Sequence, residues 1–397
     1  MTLKIEKAYI KVANSELQLR FVITEDGIPL DEVNAWLDSM SENSPLTGER
    51  YGYVLKGFLE YLKLLSMHYR DVTKQATLKS YIKHLLGYSG EKIVNTDGVK
   101  NVDVVMYNVS VITQFYLWLE TNGKIDEYPT GNAIQPNRKG QFYVKKKFMY
   151  GQIYKFDNSK KNEFYHRLRF ADRQEHTKWY TIEEIQKFID NMPSHKDRLI
   201  FRISVECGLR ISEILGLHLE HVNRFEELLE VRRNNNIENL AYAKTWERNV
   251  PILDDYPIFA DNLMTDIENY INGEREQSDI YRSSYLFINN KGKYKGMPVK
   301  RRNFLKILKR VGAKIGFDPT KIRTHSGRST RAETLVRKCY EQGDSIEIVS
   351  DYIGNSVETL RKYYRNQAST GTQKHTMKRI APRQIKQRED EKNADNN

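Results

Sequence analysis

A basic segment studded with aromatics, Pro136 to Phe170, constrains this 397-residue chain more than any other feature. Arg138, Lys139, Lys145, Lys146, Lys147, Lys155, Lys160, Lys161, Arg167 and Arg169 stand there against only Asp157 and Glu163. That is +8 of the chain's +12, held in 35 residues. Phe142, Tyr143, Phe148, Tyr150, Tyr154, Phe156, Phe164 and Tyr165 are interleaved with the charges. The segment reads as a linker over 136–176 between two regions of apolar periodicity, and the chain's length predicts two or three domains. Basic side chains bind phosphates by releasing counterions, and aromatic rings stack on bases or pack beside sugars. Lys139, Lys145, Lys146 and Lys147 are therefore candidate DNA-binding residues; the plain alternative is a solvated tether.

Composition excludes several classes. Hydrophobic residues make up 39% and charged residues 29%, which supports packed cores. A pI near 9.3 points to a polyanionic partner, nucleic acid or an anionic membrane surface. Cys207 and Cys339 are the two cysteines, too few for a disulfide framework or a cysteine zinc site. With no apolar leader after Met1, they predict a reducing, cytoplasmic setting. The most apolar stretch, Val104 to Leu119, is broken by Asn108, Ser110, Thr113 and Gln114 and reads as too short to span a membrane.

Residues 1–30 alternate apolar and polar side chains, as in Leu17-Gln18-Leu19-Arg20-Phe21, predicting short strands with a hairpin near Asn14-Ser15 and a turn at Asp26-Gly27. Residues 31–135 read as a small helical bundle. Its apolar faces are Tyr51, Leu55, Phe58, Leu59, Leu62, Leu65, then Leu78, Tyr81, Ile82, Leu85, then Val102, Val105, Met106, Val109, Ile112, Tyr116, Leu119. A second domain spans 177–377. It opens with a capping box at Thr181 and Glu184, followed by a helix through Leu199 to Cys207 that Gly208 ends. Leu228 to Val231 and Ala241 to Ile252 are expected strands, and helices are expected over Arg302 to Lys314 and Arg331 to Tyr340. The tail, 378–397, is almost wholly polar and is expected to be disordered. The fold class is mainly α with a small β-sheet (α+β), in two domains.

Four segments carry residue types suited to phosphate chemistry: Gly208-Leu209-Arg210-Ile211-Ser212-Glu213, Ala243-Lys244-Thr245, His325-Ser326-Gly327-Arg328, and Ile353-Gly354-Asn355 with Tyr364 nine residues beyond the asparagine. In this order they resemble the signature of the tyrosine recombinase (phage integrase) family. The resemblance is strong over Thr177 to Arg365 and weaker over 31–125, which it implies is a core-binding DNA clamp. It implies that Arg210 and Arg328 are the two family arginines, Glu213 an orienting carboxylate, Lys244 the hairpin lysine, and His325 the histidine of the H-x-x-R box. The nine-residue spacing makes Tyr364, rather than Tyr363, the nucleophile. Asn355 stands where the family most often has histidine, and Ser329 where histidine is also common.

The chemistry agrees with these assignments. Guanidinium forks bind non-bridging phosphate oxygens and stabilise transition-state charge without a metal. Attack by tyrosine leaves a 3′-phosphotyrosyl link that conserves bond energy, so neither ATP nor a metal is expected. Tyrosine, with a pKa of about 10, must lose a proton, and His325 is the candidate acceptor. Lys244 is the family's general acid toward the leaving 5′ oxygen. Asn355 can donate a hydrogen bond but cannot shuttle a proton. His218 and His221 mimic a metal pair, but no third ligand accompanies them and they read as structural.

The resemblance implies a site-specific recombinase acting on double-stranded DNA as a homo-tetramer on paired sites, with an excision or accessory factor as a further partner. The segment Arg365 to Ile380 would dock on a neighbouring subunit. The chain is longer than the compact Xer-type members, favouring an integrase or transposase of a mobile element, nucleoid-associated in a bacterial cytoplasm. A non-catalytic DNA-binding regulator and a type IB topoisomerase are the alternatives.

Overall fold

The computed structural model describes residues 2–11, 17–42, 44–89, 92–93, 100–126, 171, 176–177, 179–256, 258–259 and 261–364, with the backbone alone at 75, 89, 92, 93 and 362–364. The basic segment, its four candidate lysines, the turn near Asn14-Ser15 and the tail lie outside these residues. The chain divides into two compact units, Met1–Gln174 and Glu175–Asn397.

In the first unit, strands Leu3–Lys11 (β1) and Leu17–Glu25 (β2) pair antiparallel, Leu3 opposite Glu25 and Lys11 opposite Leu17. Asp26 and Gly27 turn the chain into Ile28–Pro29 (β3). Helices Asp31–Ser41 (α1), Pro45–Leu64 (α2) and Gln75–Leu85 (α3) follow, then a two-strand ladder of Tyr88–Ser89 (β4) and Lys92–Ile93 (β5), and helix Val102–Thr121 (α4). The Asn34 side chain accepts from the Ile23 amide at 2.7 Å and donates to its carbonyl at 2.9 Å, fastening α1 to β2. Leu3 and Ile23 enter the same core as Trp36, Leu55, Phe58 and Phe115, so sheet and helices form one hydrophobic interior. By length and composition α4 could cross a membrane. Here Val105, Ile112, Phe115, Tyr116 and Leu119 bury its apolar side in that core, and Trp36 meets Phe115 edge-on at 5.4 Å.

The second unit begins with Ile182–Asn191 (α5), capped reciprocally by Thr181 and Glu184 as the sequence predicts. His195–Glu206 (α6) ends at Cys207, and Gly208 takes the left-handed conformation at φ 65°. The short helix Ile211–Leu215 (α7) follows, then an antiparallel sheet of Val222–Asn223 (β6), Leu228–Val231 (β7) and Arg248–Pro251 (β8). The strand expected over Ala241 to Ile252 is confined to β8. Residues 241–247 form no strand, and at their start side chains stand in for a neighbouring strand: Asn236 donates to the Ala241 carbonyl at 2.8 Å, and Asn239 accepts from the Ala241 amide at 3.0 Å. Leu263–Tyr270 (α8) runs into a π-helical turn, Ile271–Arg275. Arg301–Lys314 (α9), Ser326–Gln342 (α10), Ile346–Ile353 (α11) and Val357–Tyr364 (α12) complete the unit. Its main core is walled by Phe188, Phe201, Leu215 and Phe304. A smaller cluster of Val336, Cys339, Ile346, Val349, Ile353 and Leu360 holds α10, α11 and α12 together.

Candidate active site

The turn between α6 and α7 sets the site's geometry. At Gly208 the left-handed backbone leaves no room for a side chain: a Cβ would lie 2.6 Å from Cδ1 of Ile353. This close approach brings the end of α11 against the start of α7. Arg210 is the N-cap of α7, and Glu213, three residues on, reaches back to accept from the Arg210 amide at 2.9 Å. The same carboxylate accepts from Arg210 Nη1 at 3.0 Å. The three-residue spacing is thus a helix-start geometry that also orients a guanidinium.

Arg328 lies in the first turn of α10 and is 1% exposed. It donates from Nη1 to the Gly208 carbonyl at 2.9 Å, with Glu213 Oε2 3.7 Å away. At that same end of α11, Gly354 is also left-handed at φ 71°, and its carbonyl accepts from Arg210 at 3.0 Å and from Arg328 at 3.2 Å. Oδ1 of Asn355 accepts from the same two Nη2 groups at 2.6 and 2.8 Å. Because guanidinium only donates, these two bonds fix which end of the Asn355 amide is oxygen. Its NH2 group is turned from the arginines and remains a donor.

Beneath the pair lies a third arginine that sequence reasoning missed. Arg248 opens β8 and is 8% exposed. It donates to Glu213 at 2.9 and 3.3 Å and to the Tyr352 carbonyl at 3.1 Å. The only sequence signal was a basic residue in a strand position expected to alternate inward. Burial alone would raise the Glu213 carboxyl, but hydrogen bonding and charge from Arg248, then the charges of Arg328 and Arg210, hold it down at about 2. Glu213 is therefore an anion shared by three cations.

His325 occupies the N-cap position of α10, with its ring still open to solvent. Crowding by protein, followed by the charges of Arg328, Arg210 and Arg301, pushes its pKa down to about 4, against the pull of Glu213. It is a neutral proton acceptor at pH 7. Lys244 is exposed on the irregular loop before β8, next to Thr245, whose hydroxyl donates to Glu213 at 3.0 Å. Tyr364 ends α12, beyond the Gly354-Asn355 turn. His218 and His221 are tied into a structural network: the His218 amide donates to His221 Nδ1 at 3.0 Å, and His218 Nε2 pairs with Asn236 at 2.9 Å.

A second feature absent from the sequence reading is the charge of α9. Arg301, Arg302, Lys306, Lys309, Arg310 and Lys314 occur with no acidic residue, while Phe304, Leu308, Val311 and Gly312 bury the opposite face. The charge of Arg301 reaches His325, so this basic helix begins beside the site. An amphipathic helix whose polar face has a single sign is a readable signal.

Arg210 and Arg328 converge on one oxygen beside His325, while Lys244 lies on the loop before β8 and Tyr364 at the end of α12. Residues 178–370 match the phage integrase family. Transposase A from transposon Tn554 of Staphylococcus aureus is 23% identical over 338 residues, 85% of this chain and 86% of that protein. Tyrosine recombinase XerA of Pyrococcus furiosus is 30% identical over 188 residues, 47% of this chain and 56% of that one. A Tn1549 transposon integrase structure in complex with a circular intermediate DNA matches with a TM-score of 0.56 at 14% identity, covering 88% of this chain and 98% of that one. The XerH site-specific recombinase bound to palindromic difH substrate gives 0.53 at 16% identity, over 84% and 80%. Residues 178–370 therefore carry a phage integrase family domain, and the two-domain, mainly helical fold of the chain is that of the solved transposon integrase and XerH.

Proposed function

We propose that this protein is a site-specific DNA recombinase that integrates or excises a mobile genetic element by cleaving and rejoining duplex DNA through a tyrosyl-linked intermediate. The observation that carries the reading is the convergence of Arg210 and Arg328 on one oxygen, 2.6 and 2.8 Å away, above a carboxylate that fixes both. A non-bridging phosphate oxygen carries more charge than an amide oxygen and competes for the same guanidinium edges. The Asn355 NH2 group then donates to the phosphate.

The Tyr364 hydroxyl attacks phosphorus, its proton passing to His325. A bond forms between the tyrosyl oxygen and phosphorus, the bond to the 5′ oxygen breaks, and Lys244 protonates that oxygen. The reverse attack by a 5′ hydroxyl of another strand rejoins the DNA. The basic face of α9 tracks the duplex backbone beside the scissile phosphate, joined by the linker cations Lys139, Lys145, Lys146 and Lys147. Support for DNA as substrate comes from the Tn1549 integrase and XerH, both solved with DNA. The working assembly is a homo-tetramer on paired sites, aided by an accessory factor for excision. A resolvable test is recombination of a plasmid carrying two copies of the element junction: product from paired sites supports the reading, and relaxation of supercoils without product refutes it.

A further inference from the structure

Glu213 is doing more than holding the two phosphate-binding arginines. Thr245, the neighbour of Lys244, donates its hydroxyl to Glu213 Oε1 at 3.0 Å. Oγ1 of Thr245 in turn accepts from Arg248 Nη1 at 3.3 Å and Arg210 Nη1 at 3.4 Å. A threonine hydroxyl has one donor and two acceptor sites, so every one is used and its rotamer is determined. Four residues beyond Lys244, Arg248 clasps both Glu213 oxygens and is 8% exposed. Its guanidinium also fills the space at Gly354, where a Cβ would come within 2.7 Å of it. The lysine's loop lacks strand pairing over residues 241–247, so strand hydrogen bonds do not fix it. Just beyond the lysine it is tied at two points, Thr245 and Arg248, to one buried carboxylate.

We infer that Thr245 and Arg248 are positioning residues for Lys244, and that Glu213 keys the proton-donating loop to the phosphate-binding arginines. The inference rests on Lys244 protonating the leaving 5′ oxygen. The loop and the arginine pair share one anion, so the proton donor and the phosphate clamp are held in a common frame. Misplacing a catalytic group by about 1 Å costs on the order of a hundredfold in rate.

The test is single-turnover cleavage of a nicked suicide duplex carrying the element end, made once with the natural 5′ oxygen and once with sulfur at that bridging position. A thiolate leaves without a proton, so the sulfur duplex needs no acid. The variants are Lys244→Ala, Thr245→Val, Thr245→Ser and Arg248→Met. Thr245→Val should slow cleavage of the oxygen duplex roughly ten- to a hundredfold. Like Lys244→Ala, it should recover on the sulfur duplex, and Thr245→Ser should keep the wild-type rate on both. Thr245→Val is nearly isosteric and keeps the test decisive even where Arg248→Met fails to fold. Equal slowing on both duplexes, or no slowing on either, overturns the inference. Failure of sulfur to rescue Lys244→Ala itself overturns the assignment of the acid, and the inference with it, and is recognisable as that separate failure.

Discussion

Arg210 and Arg328 come from different helices, yet their Nη2 groups meet on a single atom, Oδ1 of Asn355, at 2.6 and 2.8 Å. Two like charges so close would repel. The Glu213 carboxylate beneath them, 3.0 Å from Arg210 and 3.7 Å from Arg328, makes the arrangement stable. The site is a preformed cationic cradle with one neutral oxygen held between two guanidiniums.

Asn355→Asp would put a carboxylate of the same shape into the cradle. Its charge-assisted bonds to both arginines should leave the melting temperature unchanged or higher, while repelling the scissile phosphate. Cleavage should fall by at least about a hundredfold, the scale of losing a preorganised charge-stabilising contact. Thermal unfolding and suicide-duplex cleavage, run side by side, check this; unchanged cleavage would contradict it.

Glu213→Gln would remove the anion shared by three arginines. Breaking one partner out of a buried ion cluster costs roughly 3–5 kcal/mol. Because the carboxyl is held down at about 2, its contribution is full above the ordinary carboxylate range and is lost as pH falls toward 2. Urea unfolding at pH 7 should show the deficit, and it should narrow on acidification. Wild-type stability in the variant at pH 7 would be inconsistent with the cluster.

His325 should titrate near 4 in the free protein rather than near its ordinary value of about 6.5. A depressed histidine favours the fold above its unfolded pKa, and that contribution declines as pH falls from there toward 4. A bound phosphate opposes the surrounding guanidiniums and raises the value, so DNA binding should take up a proton at pH between the two. NMR titration, and binding calorimetry in two buffers of different ionisation enthalpy, read both effects. His325→Gln should abolish the uptake. A titration near 6.5 in the free protein would contradict the described environment.

The basic face of α9 should contribute to backbone binding. Each phosphate contact removed lowers the salt slope of binding by about 0.9. Lys306→Glu with Arg310→Glu should therefore flatten the dependence of affinity on salt by about two such steps and weaken binding to all duplex sequences alike. An unchanged slope would take α9 out of the interface.

Much of this site was legible through the family resemblance of four short segments, and part of its local geometry follows from spacing. Glu213 follows Arg210 by three because an N3 carboxylate reaches back to its N-cap, and that local rule survives any tertiary context. Gly208 ending α6 and the Thr181–Glu184 box were legible for the same reason. What the sequence hid is long-range. Arg248 looked like one basic residue among 64, since nothing local shows that β8 delivers it under Glu213. A more local departure is the strand expected from Ala241, which forms only over β8. Asn236 and Asn239, earlier in the same β7–β8 connection, satisfy the Ala241 backbone through side-chain contacts no period reports. Asn355 read as a phosphate ligand, and its oxygen proves to be engaged by both arginines in the free protein.

The most direct test of the central claim is covalent capture of DNA. The protein, with Tyr364→Phe and Tyr363→Phe variants, is incubated with a nicked suicide duplex of the element end, without metal or ATP, and resolved on a denaturing gel. The account predicts a protein–DNA adduct in wild type and Tyr363→Phe that is lost in Tyr364→Phe. A protein that binds the duplex yet forms no adduct, or one whose adduct persists in Tyr364→Phe, would contradict it.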